Sequence, residues 1–290
     1  MKLLIDDAHI DLIKKICDYY PVDGVTTNPS ILAKSGRQPF EVLKEIRSFI
    51  GKDAELHVQV VAKDAEGMVE DAHRIVKELG ANTYVKVPSV PEGFKAMKIL
   101  VKGNINITAT AIYTPMQAFL AAKCGASYAA PYVNRIDNMG FNGIQVTKQI
   151  HDIFKNNNLK TEVLAASFKN SQQVLELCEY GIGASTIAPD IIEGLVKNQA
   201  ITSAVDDFIK DQYKSFQDKN KRFLVHIKEQ FEIYAMTWDD VFQLFEIKHR
   251  FLLDKLDFDK KIIEEEIKLS VCNRIAADNI VLDVTKLETI

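Results

Sequence analysis

The sequence predicts a (β/α)8 barrel over residues 1–217, followed by a mainly helical extension over residues 218–290. Three observations predict it. Eight short segments rich in Val, Ile, Thr or Tyr recur before residue 217, each bounded by turn or breaker residues. Segments with helical spacing lie between them, so the units run in series, strand then helix. A doubly wound open sheet, the competing architecture, usually carries a GxGxxG turn after its first strand, and none is present.

Taken in order, the strand candidates are Leu3–Ile5, Gly24–Thr26, Leu56–Val61, Tyr84–Val87, Ile105–Thr108, Tyr128–Ala130, Val163–Ala166 and Ala184–Ile187. Ile10, Ile13, Ile16 and Cys17 mark the first helix, with Asp7 expected as its N-cap. Met68, Val69, Ala72, Ile75, Val76 and Leu79 mark another, which Gly80-Ala81-Asn82 should stop. A last amphipathic helix is expected from Ile201 to Phe216. Beyond about Lys219 the chain reads as charge-dense helix with many aromatics, including Phe231, Trp238 and Phe242. Phe223, Ile227 and Phe231 recur every fourth residue and give it one apolar face, whereas Glu264-Glu265-Glu266 reads as a solvated face. No Pro/Gly-rich linker precedes this extension, so it is expected to pack on the barrel or on a neighbouring subunit.

The composition removes several function classes. A chain of 290 residues, 47% hydrophobic and 26% charged, can bury a core without metal or disulfide staples. The net charge of −4, from 36 Lys+Arg against 40 Asp+Glu, offers no basic field for nucleic acid. Cys17, Cys124, Cys178 and Cys272 form no CxxC pair, and the six histidines form no HxH or HExxH, so no metal site is expected. The opening Met1-Lys2-Leu3-Leu4-Ile5 meets Asp6-Asp7 too soon for a signal segment, and no run reaches the ~18 apolar residues of a membrane span. A reducing, cytoplasmic protein with no membrane partner is expected.

In such a barrel the chemistry sits at the C-terminal ends of the strands. Those ends carry Asp6, Thr26-Thr27-Asn28, Gln59, Lys86, Thr110, Tyr132 with Asn134 and Arg135, and Ser167. Lys86 is the sharpest signal. It lies within Tyr84-Val85-Lys86-Val87-Pro88, so its ammonium must enter either the lumen or the layer under the helices. The bland reading is a lysine that snorkels past its strand or pairs with a buried carboxylate. The functional reading is an amine brought from its usual ~10.4 toward ~7–8 by desolvation, ready to attack a carbonyl.

The other strand-end residues admit two readings each. Asp6 either pairs with Lys86 or moves protons to and from substrate oxygens. Gln59 shares a strand face with His57 and Val61 and either holds a water or satisfies a backbone group; His57 should fill a lower layer of the barrel. Arg135 either holds a phosphate or carboxylate at the mouth or pairs with Asp137. Ser167, with Ser185 and Thr186 on the next strand, offers further donors.

Four segments carry a family resemblance. These are Val22-Asp23-Gly24-Val25-Thr26-Thr27-Asn28-Pro29-Ser30, then Val85-Lys86-Val87-Pro88 with Glu92-Gly93, then Ala130-Pro131-Tyr132-Val133-Asn134-Arg135-Ile136-Asp137, and Ala165-Ala166-Ser167-Phe168-Lys169. Together they resemble the transaldolase / fructose-6-phosphate aldolase family from Met1 to about Phe216; the chain after that point resembles nothing placed. The resemblance implies a barrel of the same kind. It makes Lys86 the Schiff-base lysine and Asp6 the acid/base carboxylate. It assigns Thr26 and Asn28 to the dihydroxyacetone hydroxyls, Gln59, Thr110 and Tyr132 to the catalytic water, and Arg135 with Ser167 to the aldehyde's phosphate. It also implies small sugar-phosphate substrates, no cofactor, and a homo-oligomer, a pentamer or decamer.

Within that family, transaldolases resemble one another in carrying Glu at the position of Gln59 and Phe at the position of Tyr132. Gln59 and Tyr132 are thus similar to the aldolase branch, which releases dihydroxyacetone; a phenol supplies a donor that phenylalanine lacks. A transaldolase is the alternative, and a sugar-phosphate-binding homologue without turnover is a third. For the extension the expectations are an oligomer-stabilising wrap or a regulatory or substrate-gating addition.

Overall fold

In the described strands, alternate side chains face two different cores, and this parity fixes which residues can meet. The computed structural model describes residues 1–80 and 82–211; the expectations for the extension, and for the helix beyond residue 211, lie outside them. Two compact units divide the chain, Met1–Lys197 and Asn198–Ile290. In the second, residues 199–211 are helical.

The first unit is a barrel in which β1 (Lys2–Asp6), β2 (Gly24–Thr26), β3 (Glu55–Gln59), β4 (Thr83–Pro88), β5 (Ile107–Ile112), β6 (Tyr128–Pro131), β7 (Glu162–Ala165) and β8 (Ala184–Ile187) close in sequence order. Every pairing is parallel, including β1 with β8. The connecting helices are α1 (Ile10–Tyr19), α2 (Pro29–Lys34), α3 (Pro39–Ile50), α4 (Ala65–Leu79), α5 (Pro91–Lys102), α6 (Pro115–Lys123), α7 (Val133–Asp137), α8 (Gly143–Asn156), α9 (Ser171–Tyr180) and α10 (Pro189–Gly194).

Local chemistry sets the helix ends. Proline opens α2, α3, α5, α6 and α10, where its missing N–H costs nothing and its φ is already helical. Side chains of Asn28, Asp64, Thr114, Asn142 and Asn170 accept N-terminal amides, and Thr114 with Gln117 forms a reciprocal capping box. The helix containing Met68 and Leu79 stops at Gly80 as its sequence requires.

Two cores result. Ile5, Val25, Val58, Val85, Val87 and Ala109 point outward into the large apolar layer beneath the helices. Leu4, Tyr128, Ala130, Leu164 and Ala184, with Tyr84 against them, fill the lumen. The lumen's N-terminal end carries a polar floor. Lys2 pairs with Glu55, and the Tyr128 hydroxyl donates to Glu55 Oε1 at 3.1 Å. His57 stacks on Tyr84, ring centroids 4.7 Å apart and 10° from parallel. Its Nε2 lies 3.1 Å from Glu55 Oε2 and its Nδ1 2.8 Å from Thr108 Oγ1. A carboxylate only accepts, so Nε2 carries the proton and Nδ1 accepts from Thr108. Burial holds the imidazole neutral, down at about 4. His57 thus occupies the lower layer, as its strand position suggested.

Several sequence expectations are corrected. The third strand ends at Gln59 rather than Val61, because the Val61 and Ala62 amides turn to the Asp71 carboxylate; Val61 is 66% exposed and shares no inward face with Gln59. The fifth starts at Ile107, not Ile105, and runs on to Ile112 through a register break after Ala109, with Ala111 at φ 56°. The seventh stops at Ala165, with Ala166 making a single bridge to Tyr132. Asp7 does not cap α1: the N-cap is His9, and Asp7 Oδ1 instead accepts from the Ala8 and His9 amides, both at 2.7 Å.

Candidate active site

Lys86 lies on the inward face of β4, between the outward Val85 and Val87, and is 5% exposed. Its Nζ donates to the Thr27 carbonyl at 2.8 Å, a partner supplied by the turn that leaves β2. That turn is fixed in its own right, since the Thr27 amide and hydroxyl both donate to the His57 carbonyl. Burial pushes the Lys86 amine down; the Asp6 carboxylate opposes this and the Arg135 guanidinium adds to it. The net direction is downward, toward a free amine.

Asp6 ends β1 at the same mouth. Desolvation raises its carboxyl, against the lowering effects of Lys86 and the Thr26 hydroxyl. Thr26 Oγ1 donates to Asp6 Oδ1 at 2.7 Å and stands 2.6 Å from Thr186 Oγ1. A threonine hydroxyl has one proton, so with that proton on Asp6 it is Thr186 that donates to Thr26. The chain Thr186, Thr26, Asp6 therefore orients the carboxylate. Asp6 and Lys86 act on each other by charge while each holds a neutral hydrogen-bond partner.

On β5, the strand next to that of Lys86, Thr110 Oγ1 lies 2.7 Å from the Tyr132 hydroxyl. Gln59 is the register partner of Lys86 across β3 and β4. Arg135 places its guanidinium carbon 4.7 Å from the Tyr132 ring centroid. A hydrogen bond with Tyr113 raises Arg135, and Tyr113 meets Tyr132 edge-on at 5.6 Å. The alternative partner is engaged elsewhere, since Asp137 accepts from the Gly143 amide and from Gln173 Nε2, each at 2.7 Å.

Two expected residues have structural duties as well. Asn28 caps α2 through Oδ1, 3.0 Å from the Ile31 amide, which leaves its amide NH2 for a ligand. Ser167 adopts φ 60°, a left-handed conformation uncommon for a residue with a Cβ. Its carbonyl accepts from the Asn134 amide at 2.8 Å, which ties the β7 end to the short helix bearing Arg135. Of the two donors expected from β8, only Thr186 joins the site; Ser185 points the other way, its hydroxyl 3.2 Å from the Met1 sulfur.

The structure thus gathers Asp6, Thr26, Lys86, Thr110, Tyr132 and Arg135 at one end of one barrel. Sequence reasoning overlooked the Tyr113 side chain and the Thr27 carbonyl. Thr186 was legible from parity, being two residues beyond the inward Ala184; a backbone carbonyl carries no sequence signal. Among the described residues, no group of three His, Cys, Asp or Glu side chains is placed to hold a metal ion. No helix among them is long and apolar enough to cross a membrane.

A lumenal lysine of lowered basicity beside a carboxylate, with a phenol and a guanidinium across the mouth, suits imine chemistry on a small phosphorylated carbonyl compound. A family model described as Transaldolase/Fructose-6-phosphate aldolase matches residues 3–249, past the Phe216 limit of the sequence resemblance. A "Probable fructose-6-phosphate aldolase" of Streptococcus pneumoniae is 40% identical over 214 residues, 73% of this chain and 96% of the relative. A "Probable transaldolase" of Hydrogenobaculum sp. is also 40% identical over 214 residues, 74% of this chain and 97% of the relative. Another "Probable transaldolase", of Nitrosopumilus maritimus, is 37% identical over 215 residues, 74% and 96% of the two chains.

Proposed function

The chain belongs to the transaldolase/fructose-6-phosphate aldolase family, and from that premise we propose that it is a Schiff-base aldolase cleaving or forming fructose 6-phosphate, with dihydroxyacetone and glyceraldehyde 3-phosphate as the other side of the reaction. The observation that carries this reading is the buried Lys86 amine on the lumenal face of β4, lowered by desolvation and facing the charge of Asp6.

In this reading Lys86 Nζ adds to the C2 carbonyl of the ketose, and the carbinolamine loses water to leave an iminium. The C3–C4 bond then breaks. Its electron pair flows into the iminium to give an enamine, while the C4 hydroxyl loses its proton to Asp6 and becomes the aldehyde. Arg135 and Ser167 hold the departing phosphate, and the amide of Asn28 with Thr26 holds the hydroxyls of the retained half. Protonation of the enamine at C3 restores the iminium. Water held by Gln59, Thr110 and Tyr132 adds to it, dihydroxyacetone leaves, and the amine is free again.

A transaldolase is the second reading, favoured by the names of two of the relatives. The Tyr132 hydroxyl supports the aldolase, because it sets a proton donor beside the place where the enamine must be protonated or hydrated. Incubation with fructose 6-phosphate and borohydride should leave a reduced adduct on the peptide containing Lys86; its absence with every ketose and with dihydroxyacetone defeats both readings. Dihydroxyacetone released without erythrose 4-phosphate selects the aldolase, and products that appear only with that acceptor select the transaldolase.

A further inference from the structure

Thr26 on β2 and Thr186 on β8 belong to the two strands that flank β1, the strand that ends at Asp6. Ile5, Val25 and Ile187 face the outer apolar layer, so their strand neighbours Asp6, Thr26 and Thr186 face the lumen. There the hydroxyls meet: Thr26 Oγ1 stands 2.6 Å from Thr186 Oγ1 and 2.7 Å from Asp6 Oδ1. Thr26 is fully buried and Thr186 is 3% exposed, so neither hydroxyl can turn to bulk water for a partner.

Two polarities are open to such a chain. In one, Thr186 donates to Thr26 and Thr26 donates to Asp6 Oδ1. In the other, a protonated Asp6 donates to Thr26 and Thr26 donates to Thr186, whose own proton then needs a further acceptor. Among the described residues, Thr186 Oγ1 makes no side-chain hydrogen bond besides the one to Thr26. A buried donor left without a partner costs more than one hydrogen bond gains, so the first polarity holds whether Asp6 is charged or neutral. Oδ1 is thereby kept as an acceptor, and no described residue bonds Oδ2. The same bond favours the charged carboxylate: burial raises the Asp6 carboxyl, while Lys86 and the Thr26 hydroxyl pull it down.

We propose that Thr186 is a positioning residue for the proton transfer: through Thr26 it reserves Asp6 Oδ1 as an acceptor and leaves Oδ2 as the oxygen that takes the proton. The proposal rests on the aldolase or transaldolase reading of Lys86 and Asp6. In cleavage the O–H bond of the C4 hydroxyl then breaks toward Oδ2. Its electron pair forms the aldehyde C=O, and the C3–C4 pair passes to the iminium. Thr26, whose proton is on Oδ1, meets a substrate hydroxyl only as an acceptor.

The test compares Thr186→Val, which removes the hydroxyl, with Thr186→Ser, which keeps it. Thr186→Ala removes it at smaller volume and stands in if the valine variant does not fold. In Val or Ala, kcat for fructose 6-phosphate cleavage should fall about tenfold, with KM changed by no more than about twofold. The limb of the kcat profile set by Asp6 should move to higher pH, because the carboxylate has lost a polarised donor. Ser should restore both. A readout without turnover is the Asp6 carboxyl itself, followed by carbon NMR in aspartate-labelled protein and assigned through Asp6→Asn: it should titrate higher in Val or Ala than in the parent or Ser. A titration and a limb that stay put in Val or Ala, or a Ser variant that behaves as they do, would overturn the proposal. Borohydride trapping of dihydroxyacetone separates the two failures. A parent that traps no adduct on Lys86 loses the aldolase and transaldolase readings and this proposal with them, whereas a parent that traps, with an Asp6 titration indifferent to Thr186, loses the proposal alone.

Discussion

The hydroxyls of Thr110 and Tyr132 meet at 2.7 Å, joining β5 to the residue that precedes α7. One donates and the other accepts, so the pair presents to the lumen one lone-pair face and whatever proton is left over. The register break after Ala109 and the left-handed backbone of Ala111 lie just beyond Thr110 and shape this rim.

Replacing Tyr132 by Phe should therefore lower free dihydroxyacetone release by roughly 10²-fold, in line with the loss of a positioned proton donor. Transfer to erythrose 4-phosphate should survive, because the enamine persists for longer. A coupled assay run with and without acceptor reads the ratio; equal losses in both would remove Tyr132 from the protonation or hydration step.

Lys86→Met should abolish borohydride trapping and lower activity by about 10³-fold or more. It should also stabilise the fold at neutral pH. Burial depresses the Lys86 amine in the folded protein, so folding is penalised while the unfolded lysine is protonated, and the penalty fades as pH rises toward the ordinary lysine range. Thermal unfolding at pH 7 and near pH 10 checks the sign: the gain in Tm should shrink at the higher pH.

Asp6→Asn keeps the shape of the side chain but removes the base. Activity should drop by about 10²- to 10⁴-fold. The Asp6 carboxyl is raised in the folded state, so its contribution is favourable in acid and is lost as pH climbs through its folded value. The variant should then match the parent in acid and exceed it in urea resistance at pH 7.

The floor predicts acid sensitivity. His57 is lowered to about 4 by burial, and Glu55 to about 2 by its bonds to His57 and Lys2, which outweigh its own burial. Both groups favour folding above their unfolded values and lose that contribution as pH falls through their folded ones. Stability should decline from about pH 6.5 downward, first through His57 and then through Glu55. The His57 part is on the order of 3 kcal/mol. His57→Phe should flatten the upper part of that decline in urea titrations made at stepped pH.

Gly93 lies one turn into α5, where an added Cβ would overlap the Pro88 carbonyl oxygen at the end of the strand carrying Lys86. Backbone cannot yield as a side-chain tip does. Gly93→Ala should cost about 3 kcal/mol or more, read as a lower urea midpoint at unchanged slope.

Much of this architecture was legible because a barrel strand writes its parity into the sequence. Val85 and Val87 flanking Lys86 left the amine either in the lumen or under the helices, and the structure has it in the lumen. The same rule places Glu55 two residues before His57 and four before Gln59, yet a glutamate at a strand start reads as surface until its partner Lys2 is known. Strand lengths failed where side chains intervened from afar: Asp71, ten residues on, takes the Val61 amide and ends β3 early. The left-handed turns at Ala111 and Ser167 were hidden, since neither residue type signals positive φ. Asp7 misled because it is a cap-type residue whose acceptors are spent before the helix begins. At the mouth, parity made strand-end side chains such as Asp6 and Lys86 legible, whereas the Tyr113 phenol and the Thr27 carbonyl carried no signal.

Among the described residues, the polar plug beneath Lys86 fills the lower lumen, so the amine is approached from the end where the strands' C-termini lie. A ligand entering from that end fills the lumen from the bottom up, so what binds last leaves first. In the proposed aldol cleavage, an aldehyde fragment formed nearer the rim has to clear before the piece held deeper can follow. A slow-departing outer fragment would then bring the two halves back together more often than it lets them part.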